Sequence, residues 1–288
     1  MRIVAFEKND AAAIGVRLDE QVVDLSVAAP ELPQTLRGLL SAGQAAMDEA
    51  GKRAADAGDD ARLDFADLSL LPPIADPPKI LCIGRNYAEH AKEGGAEVLE
   101  FPDIFMRSRL SLIGAGQPII RPPVSPYLDY EGELLAVIGK TVHRADEQQA
   151  LDAVAGYSIF NDATLRDYQR RTTQWTVGKN FDGSGPFGPE FVTADELPPG
   201  CTGLHLQTRL NGQVMQDTNT DDMVFSVARS IAIITEAMTL EPGDLLATGT
   251  PSGVGYARTP PVWMKPGDTV EVEIEGIGIL ANPIADER

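Results

Sequence analysis

Asp129-Tyr130-Glu131-Gly132-Glu133-Leu134-Leu135-Ala136-Val137-Ile138 places two acidic side chains at the head of an unbroken apolar run. A short apolar run of this kind reads as a buried strand. Side chains alternate faces along a strand, so Glu131 and Glu133 point the same way, into surroundings that are otherwise apolar. Unpaired carboxylates there would cost roughly several kcal/mol or take up protons. A hard divalent ion removes the conflict, because Mg²⁺, Mn²⁺ and Ca²⁺ select oxygen ligands. Glu-x-Glu also begins many solvated strands, so a third ligand is needed before the pair means anything. Gly156 to Phe160 is strand-like and runs into Asn161-Asp162-Ala163-Thr164-Leu165-Arg166-Asp167, which puts Asp162 at a strand end as the candidate third ligand.

Around this stretch the chain has 288 residues, of which 43% are hydrophobic, enough to bury a large core and to exclude disorder as its main theme. A formal charge of −19 argues against nucleic acid, which requires clustered Lys and Arg. It also means that an anionic substrate must be met by local positive charge or a metal. Cys82 and Cys201 are too few and too far apart for a disulfide framework, and Cys82 sits in the apolar run Ile80 to Ile83 as a small buried hydrophobe. Met1 to Glu7 reads as a strand and lacks the apolar core of a signal peptide. No apolar run reaches the roughly eighteen residues of a membrane span. A cytoplasmic protein with no membrane partner is expected.

The first seventy residues read as a small α/β module, with strands at Arg2 to Glu7, Ala13 to Leu18 and Gln21 to Asp24, then a helix over about Leu36 to Asp56. Four prolines within residues 71–78 mark a linker, and residues 79–288 form the main domain. There, Asn211-Gly212 between Leu204 to Leu210 and Gln213 to Gln216 predicts a two-residue hairpin. Asp222 to Met238 reads as an amphipathic helix capped by Asp221 or Asp222, followed by strands at Thr269 to Ile274 and Gly276 to Leu280. Few helices among many antiparallel-looking strands predict a mixed α+β fold.

Four further segments bear on chemistry. His90 and Glu93 share one face of a short helix, and Glu93 could orient His90 as a general base, although a surface histidine with an accidental neighbour fits the same spacing. Lys179 lies in a loop rich in glycine and aromatic residues, where it could balance an enolate or carboxylate, or simply be solvated. Arg166 and Gln169 are one turn apart and could reach one ligand, with Arg suited to a carboxylate. The loop Thr248-Gly249-Thr250-Pro251-Ser252-Gly253-Val254-Gly255 fits no nucleotide motif, but its backbone N–H groups and the Thr250 hydroxyl could hold a carboxylate.

Taken together, Gly84 to Glu93, Tyr130 to Leu134, Asn161 to Gln169, Gly178 to Asp182 and Thr248 to Gly255 resemble, in order and spacing, the motifs of the fumarylacetoacetate hydrolase (FAH) family over Lys79 to Asp286. The resemblance implies a mixed β-roll, barrel-like catalytic fold and a homodimer. It implies Mg²⁺ or Mn²⁺ on Glu131, Glu133 and Asp162, a water-activating pair His90 and Glu93 on a mobile lid, and substrate contacts from Lys179, Arg166, Gln169 and Thr250. The chain departs from many relatives in its extra N-terminal module and in Asp182-Gly183-Ser184-Gly185-Pro186, where those relatives carry a Thr-Phe-Cys-Pro-like loop.

The expected substrate is a small 2-oxo acid. Hydrolysis of the carbon–carbon bond of an acylpyruvate to a carboxylate and pyruvate, as in aromatic catabolism, is the first reading. Oxaloacetate decarboxylation and isomerisation of a 2-hydroxymuconate or hydroxyhepta-dienedioate are alternatives through the same metal-stabilised enolate. A metal-binding protein without turnover is the competing class.

Overall fold

A computed structural model describes residues 1–93 and 100–287, apart from the side chains of residues 91 and 92; the expected domain end at 288 and the segment 94–99 lie outside the described residues. The strand Gly132–Ile138 runs through the centre of the largest sheet and is buried at every position. In spatial order that sheet runs Arg62–Asp64, Gln21–Asp24, Ala11–Leu18, Arg2–Lys8, Gly185–Thr193, Val154–Asn161, Gly132–Ile138, Leu245–Ala247, Ile80–Gly84 and Asp103–Met106. A second sheet runs Gln213–Asn219, His205–Leu210, Thr269–Ile274, Gly278–Asp286 and Ile119–Arg121. The fold is mixed α/β as expected, with sheets that do not close into a barrel. The strands of the first seventy residues join the main sheet directly, because Arg2 and Ile3 pair antiparallel with Val192 and Phe191.

Both faces of the central strand are covered, which is why Leu134 to Ile138 reads as an unbroken apolar run. Leu135 and Val137 pack with Leu36, Leu39 and Met47 of the N-terminal helices. Leu134, Ala136 and Ile138 pack on the opposite face with Ile231 and Ile234 and with Val272 and Ile274 of the second sheet. Each such side chain contributes about 1.5–3 kcal/mol through burial.

The hairpin at Asn211-Gly212 forms as predicted, with φ of 52° and 77° at its two central residues. The N-terminal helix is two helices, Leu36–Ala42 and Gln44–Asp56, separated by Gly43 at φ 88°. The helix expected from Asp222 begins at Val227, with Ser226 as its cap. Its late start has two causes. Asn219 and Asp222 close a capping box around a separate 3₁₀ turn. Asn86 then holds the following backbone extended, accepting from Phe225 N at 2.7 Å and donating to Phe225 O at 2.9 Å. The last strand, expected over Gly276 to Leu280, runs over Gly278–Asp286 instead. Among the described residues no helix is long and apolar enough to cross a membrane.

Candidate active site

The strand pair Gly132–Ile138 and Val154–Asn161 is antiparallel, and Asp162 N donates to Glu131 O at 2.9 Å just beyond its end. That register sets Asp162 across from Glu131, while strand alternation returns Glu133 to the same side. One carboxylate oxygen from each of Glu131, Glu133 and Asp162 lies within 4.8 Å of the others, and all three residues are buried. Gly132 between them faces the second sheet, where a Cβ would come within 2.2 Å of Thr208 Oγ1. The lysine reaches the cluster from the short helix Thr176–Lys179, which packs closely on Arg166–Gln169 because a Cβ at Gly178 would fall 2.3 Å from Gln169 N.

A cavity of about 200 Å³ opens over the acidic cluster. Of the nine residues expected to form the site, His90, Glu131, Glu133, Asp162, Arg166, Gln169, Lys179 and Thr250 line it. The ninth, Glu93, stands behind His90. Its Oε2 is 3.5 Å from His90 Nδ1, and both its carboxylate oxygens accept from Gly253 N at 3.1 Å, tying this helix to the glycine-rich loop. Phe105 and Trp175, edge to face at 5.5 Å, form an apolar wall.

Several of these groups are engaged differently from the sequence expectation. Lys179 Nζ sits between the triad's own carboxylates, 2.6 Å from Glu131 Oε2 and 2.5 Å from Asp162 Oδ2. It therefore fills one edge of the acidic cluster as well as facing the cavity. Arg166 donates to Asp129 Oδ2 at 2.8 Å and to Gln169 Oε1 at 3.0 Å, and its Nη2 lies 2.6 Å from Glu131 Oε1. Its Nε and Nη1 are thus held by protein acceptors, while Nη2, though close to Glu131, makes no hydrogen bond within the protein.

The Thr250 hydroxyl is likewise occupied, donating to Gly132 O at 3.0 Å and accepting from Gln216 Nε2 at 2.7 Å. The backbone N–H groups of this loop serve the protein's own acids: Gly249 N donates to Glu133 Oε2, Gly253 N to Glu93, and Gly255 and Tyr256 N to Asp129. The loop is a carboxylate holder, but for internal carboxylates.

Residues that the sequence left unassigned complete the charge network. Arg107, fully buried, pairs with Asp162 Oδ1 and donates to Ser184 Oγ at 2.8 Å and Ser111 Oγ at 3.2 Å. Ser184 comes from the very loop that departs from the family pattern, so that departure supplies a support for Arg107. Asp129 anchors Arg166, and Asn86 also donates to Thr248 O at 2.7 Å, linking the cavity rim to the glycine-rich loop. Asp129 heads the segment that identifies the fold, which is the signal that could have found it. Arg107 follows an unremarkable strand and carries no such signal.

The charges divide unevenly. Burial alone would raise the Glu131 carboxyl, but Arg166 and Lys179 overcome it and hold it at about 2. Glu133 is driven the opposite way, well above the usual carboxylate range, by burial and by the neighbouring Asp162 and Glu131. Burial opposes the Lys179 ammonium, yet Asp162 and Glu131 raise it above its ordinary value, so it stays charged. Buried Asp129, Glu131, Glu133 and Asp162 face buried Arg107, Arg166 and Lys179, which leaves negative charge in excess. Among the described residues no cation pairs with Glu133. Such an all-oxygen set with surplus negative charge fits a hard divalent ion on Glu131, Glu133 and Asp162. Lys179 would share Glu131 and Asp162 with it.

Comparison with known proteins follows the same lines. The family described as fumarylacetoacetate (FAA) hydrolase C-terminal matches residues 79–285. The chain is 39% identical over 290 residues to oxaloacetate tautomerase fahd2, mitochondrial, of Xenopus laevis, covering 99% of this chain and 90% of that protein. Fumarylacetoacetate hydrolase (EaFAH) from psychrophilic Exiguobacterium antarcticum is similar in structure, with TM-score 0.84 and 35% identity over 100% of both chains. Maleylpyruvate hydrolase from Sphingobium sp. SYK-6, solved with manganese(II) ion and pyruvate, has TM-score 0.83 and 26% identity over 100% of both chains.

Proposed function

Because the chain belongs to the fumarylacetoacetate hydrolase family, we propose that it is a divalent-metal-dependent enzyme of 2-oxo acids whose reaction is the keto–enol tautomerisation of oxaloacetate. The observation that carries this reading is the buried triad Glu131, Glu133 and Asp162 at the floor of a small cavity, with the charged Lys179 beside it. A relative 39% identical over 99% of this chain is an oxaloacetate tautomerase, which favours that reaction over the acylpyruvate hydrolysis expected from the sequence.

A divalent ion, Mg²⁺ or Mn²⁺, would supply Lewis-acid charge toward the carboxylate and 2-oxygen of the substrate and so favour its enolate. Lys179 would add positive charge at the same oxygen; as an ammonium it is suited to stabilise charge and not to abstract a proton. His90 is the proton carrier. Its Nδ1 is buried without a hydrogen-bond partner and lies on the Glu93 side, leaving the ring able to take the proton from C3 of the keto form and deliver it to the 2-oxygen of the resulting enolate, or to carry it the opposite way from enol to keto. The proton moves between carbon and oxygen, and nothing is gained or lost.

Carbon–carbon hydrolysis of an acylpyruvate is the second reading. The His90 and Glu93 pair favours it, since the same base could draw a proton from water, and the maleylpyruvate hydrolase neighbour shares the fold. Ultraviolet absorbance of enolic oxaloacetate distinguishes the two. With Mg²⁺ present, the protein should speed its decay to the keto form, and EDTA should abolish the effect. No acceleration, together with release of pyruvate from an acylpyruvate, would establish hydrolysis instead. Loss of carbon dioxide from oxaloacetate, rearrangement of a dienoate, or no turnover at all would point to the remaining readings.

A homodimer and a cytoplasmic location belong to the same proposal. The edge strand Asp103–Met106 exposes Ile104 and Met106 near exposed Phe101 and Leu110, an apolar surface suited to a second copy. Buried, unpaired Cys82 and Cys201 suit a reducing compartment.

A further inference from the structure

Among the described residues four cations line the cavity: Arg85, Arg166, Arg170 and Lys179. Three are neutralised within the protein. Arg85 donates to Asp103 Oδ2 at 2.6 Å, Arg166 is held by Asp129 and Glu131, and Lys179 by Glu131 and Asp162. Arg170 differs. Among the described residues no carboxylate lies within ion-pair distance of it, and its guanidinium rests over the Tyr256 ring at 4.3 Å.

Arg166 lies over the same ring at 4.5 Å. Arg170 follows Arg166 by one helical turn, with Arg170 N donating to Arg166 O at 3.2 Å, so both side chains leave the backbone on one side. The Tyr256 ring thus contacts two like charges, of which only Arg166 has acidic partners among the described residues. The outer guanidinium is exposed, lines the cavity and rests against the Tyr256 ring, an arrangement suited to recognising a carboxylate.

We propose that Arg170 binds the carboxylate at the far end of a dicarboxylic substrate and so sets a preference for 2-oxo dicarboxylates over 2-oxo monocarboxylates. This deepens the oxaloacetate reading and rests on it for the orientation of the substrate, with the 2-oxo acid end toward the acidic triad and the second carboxylate toward Arg170 and Tyr256. Tyr256 acts as the positioning residue that keeps the guanidinium there.

The test is calorimetric binding of L-malate and of L-lactate to the Mg²⁺-loaded full-length protein. The two share a 2-hydroxy acid end, and only malate carries the distal carboxylate. The wild-type protein should prefer malate by about tenfold, the low end for a charge-assisted contact at a partly exposed site. Arg170→Leu should bring that ratio close to one, and Arg170→Lys should restore part of it. If oxaloacetate is turned over, its KM should rise by a similar factor in Arg170→Leu while kcat changes little. A wild-type ratio near one, undetectable malate binding, or a ratio unmoved by Arg170→Leu would overturn the inference. A preserved malate preference without oxaloacetate turnover would instead remove only the proposed reaction.

Discussion

The strands Arg2–Lys8 and Ala11–Leu18 fill their buried positions with Ile3, Val4, Phe6, Ile14 and Val16. Three strands further along the same sheet, around the strand Gly132–Ile138, the buried positions include Glu131, Glu133 and Asp162, with Arg107, Arg166 and Lys179 drawn in beside them. The first region is held by removing apolar surface from water and works with whichever side chains fill the volume. The second holds charge away from water and works only while each group keeps its partner. One sheet thus supplies both a stable apolar platform and a buried cluster of charges. The proposed chemistry belongs to the second.

Substitutions should separate the two regions sharply. Asp162→Ala removes a member of the triad and the shared partner of Arg107 and Lys179. Turnover should fall by about a thousandfold or more in kcat/KM, measured with saturating Mg²⁺. Near-normal turnover would show that the triad is not where the chemistry occurs.

Next come two changes of similar size in stability but different consequence. Arg107→Met leaves the buried Asp162 carboxylate with Lys179 as its one remaining cation and should lower stability by about 3–5 kcal/mol in denaturant titration. Leu39→Ala, in the apolar region, should lower it by about 2–5 kcal/mol. Only Arg107→Met should also change Mg²⁺ affinity. Equal effects on affinity would mean that the two regions are not separable in this way.

A smaller effect concerns pH. Glu131 has its carboxyl at about 2 in the folded chain against an ordinary 4.5, so its stabilisation is present above 4.5 and lost as pH falls toward 2. Glu133 is shifted upward, so its contribution has the opposite sign: present below 4.5 and lost as pH rises through its folded value. An ion that binds ionised Glu133 offsets that loss. The rise in Tm on adding Mg²⁺ should therefore be larger near about pH 8 than near about pH 5. A Tm gain independent of pH would contradict this assignment.

The smallest effect belongs to exposed ion pairs. Arg53 reaches Glu31 at 2.8 Å and Glu49 at 2.7 Å, yet it is 46% exposed. Arg53→Ala should leave the denaturant midpoint nearly unchanged, because solvent screens exposed pairs.

Much of the apolar architecture was legible in the sequence because burial there follows hydrophobicity and local turn chemistry. Leu134 to Ile138 announces its central strand, and Asn211-Gly212 announces its hairpin. Where a tertiary contact overrides local preference, the reading slips: Asn86, far away in the chain, delays the helix to Val227. The same limit governs the site. Alternation brings Glu131 and Glu133 to one side, but nothing local states that Lys179 bridges Glu131 and Asp162, that Thr250 is occupied by Gly132 and Gln216, or that Arg107 supports Asp162. Those partners come from distant segments, and only the assembled fold chooses among them.

The most direct test is calorimetric titration of Mg²⁺ or Mn²⁺ into chelator-treated protein, alongside a Glu133→Gln variant. Binding of a single ion per chain, abolished or severely weakened in Glu133→Gln while the variant stays folded, is the predicted result. Undetectable binding in the wild-type protein, or equal affinity in the variant, would contradict a divalent site on these carboxylates.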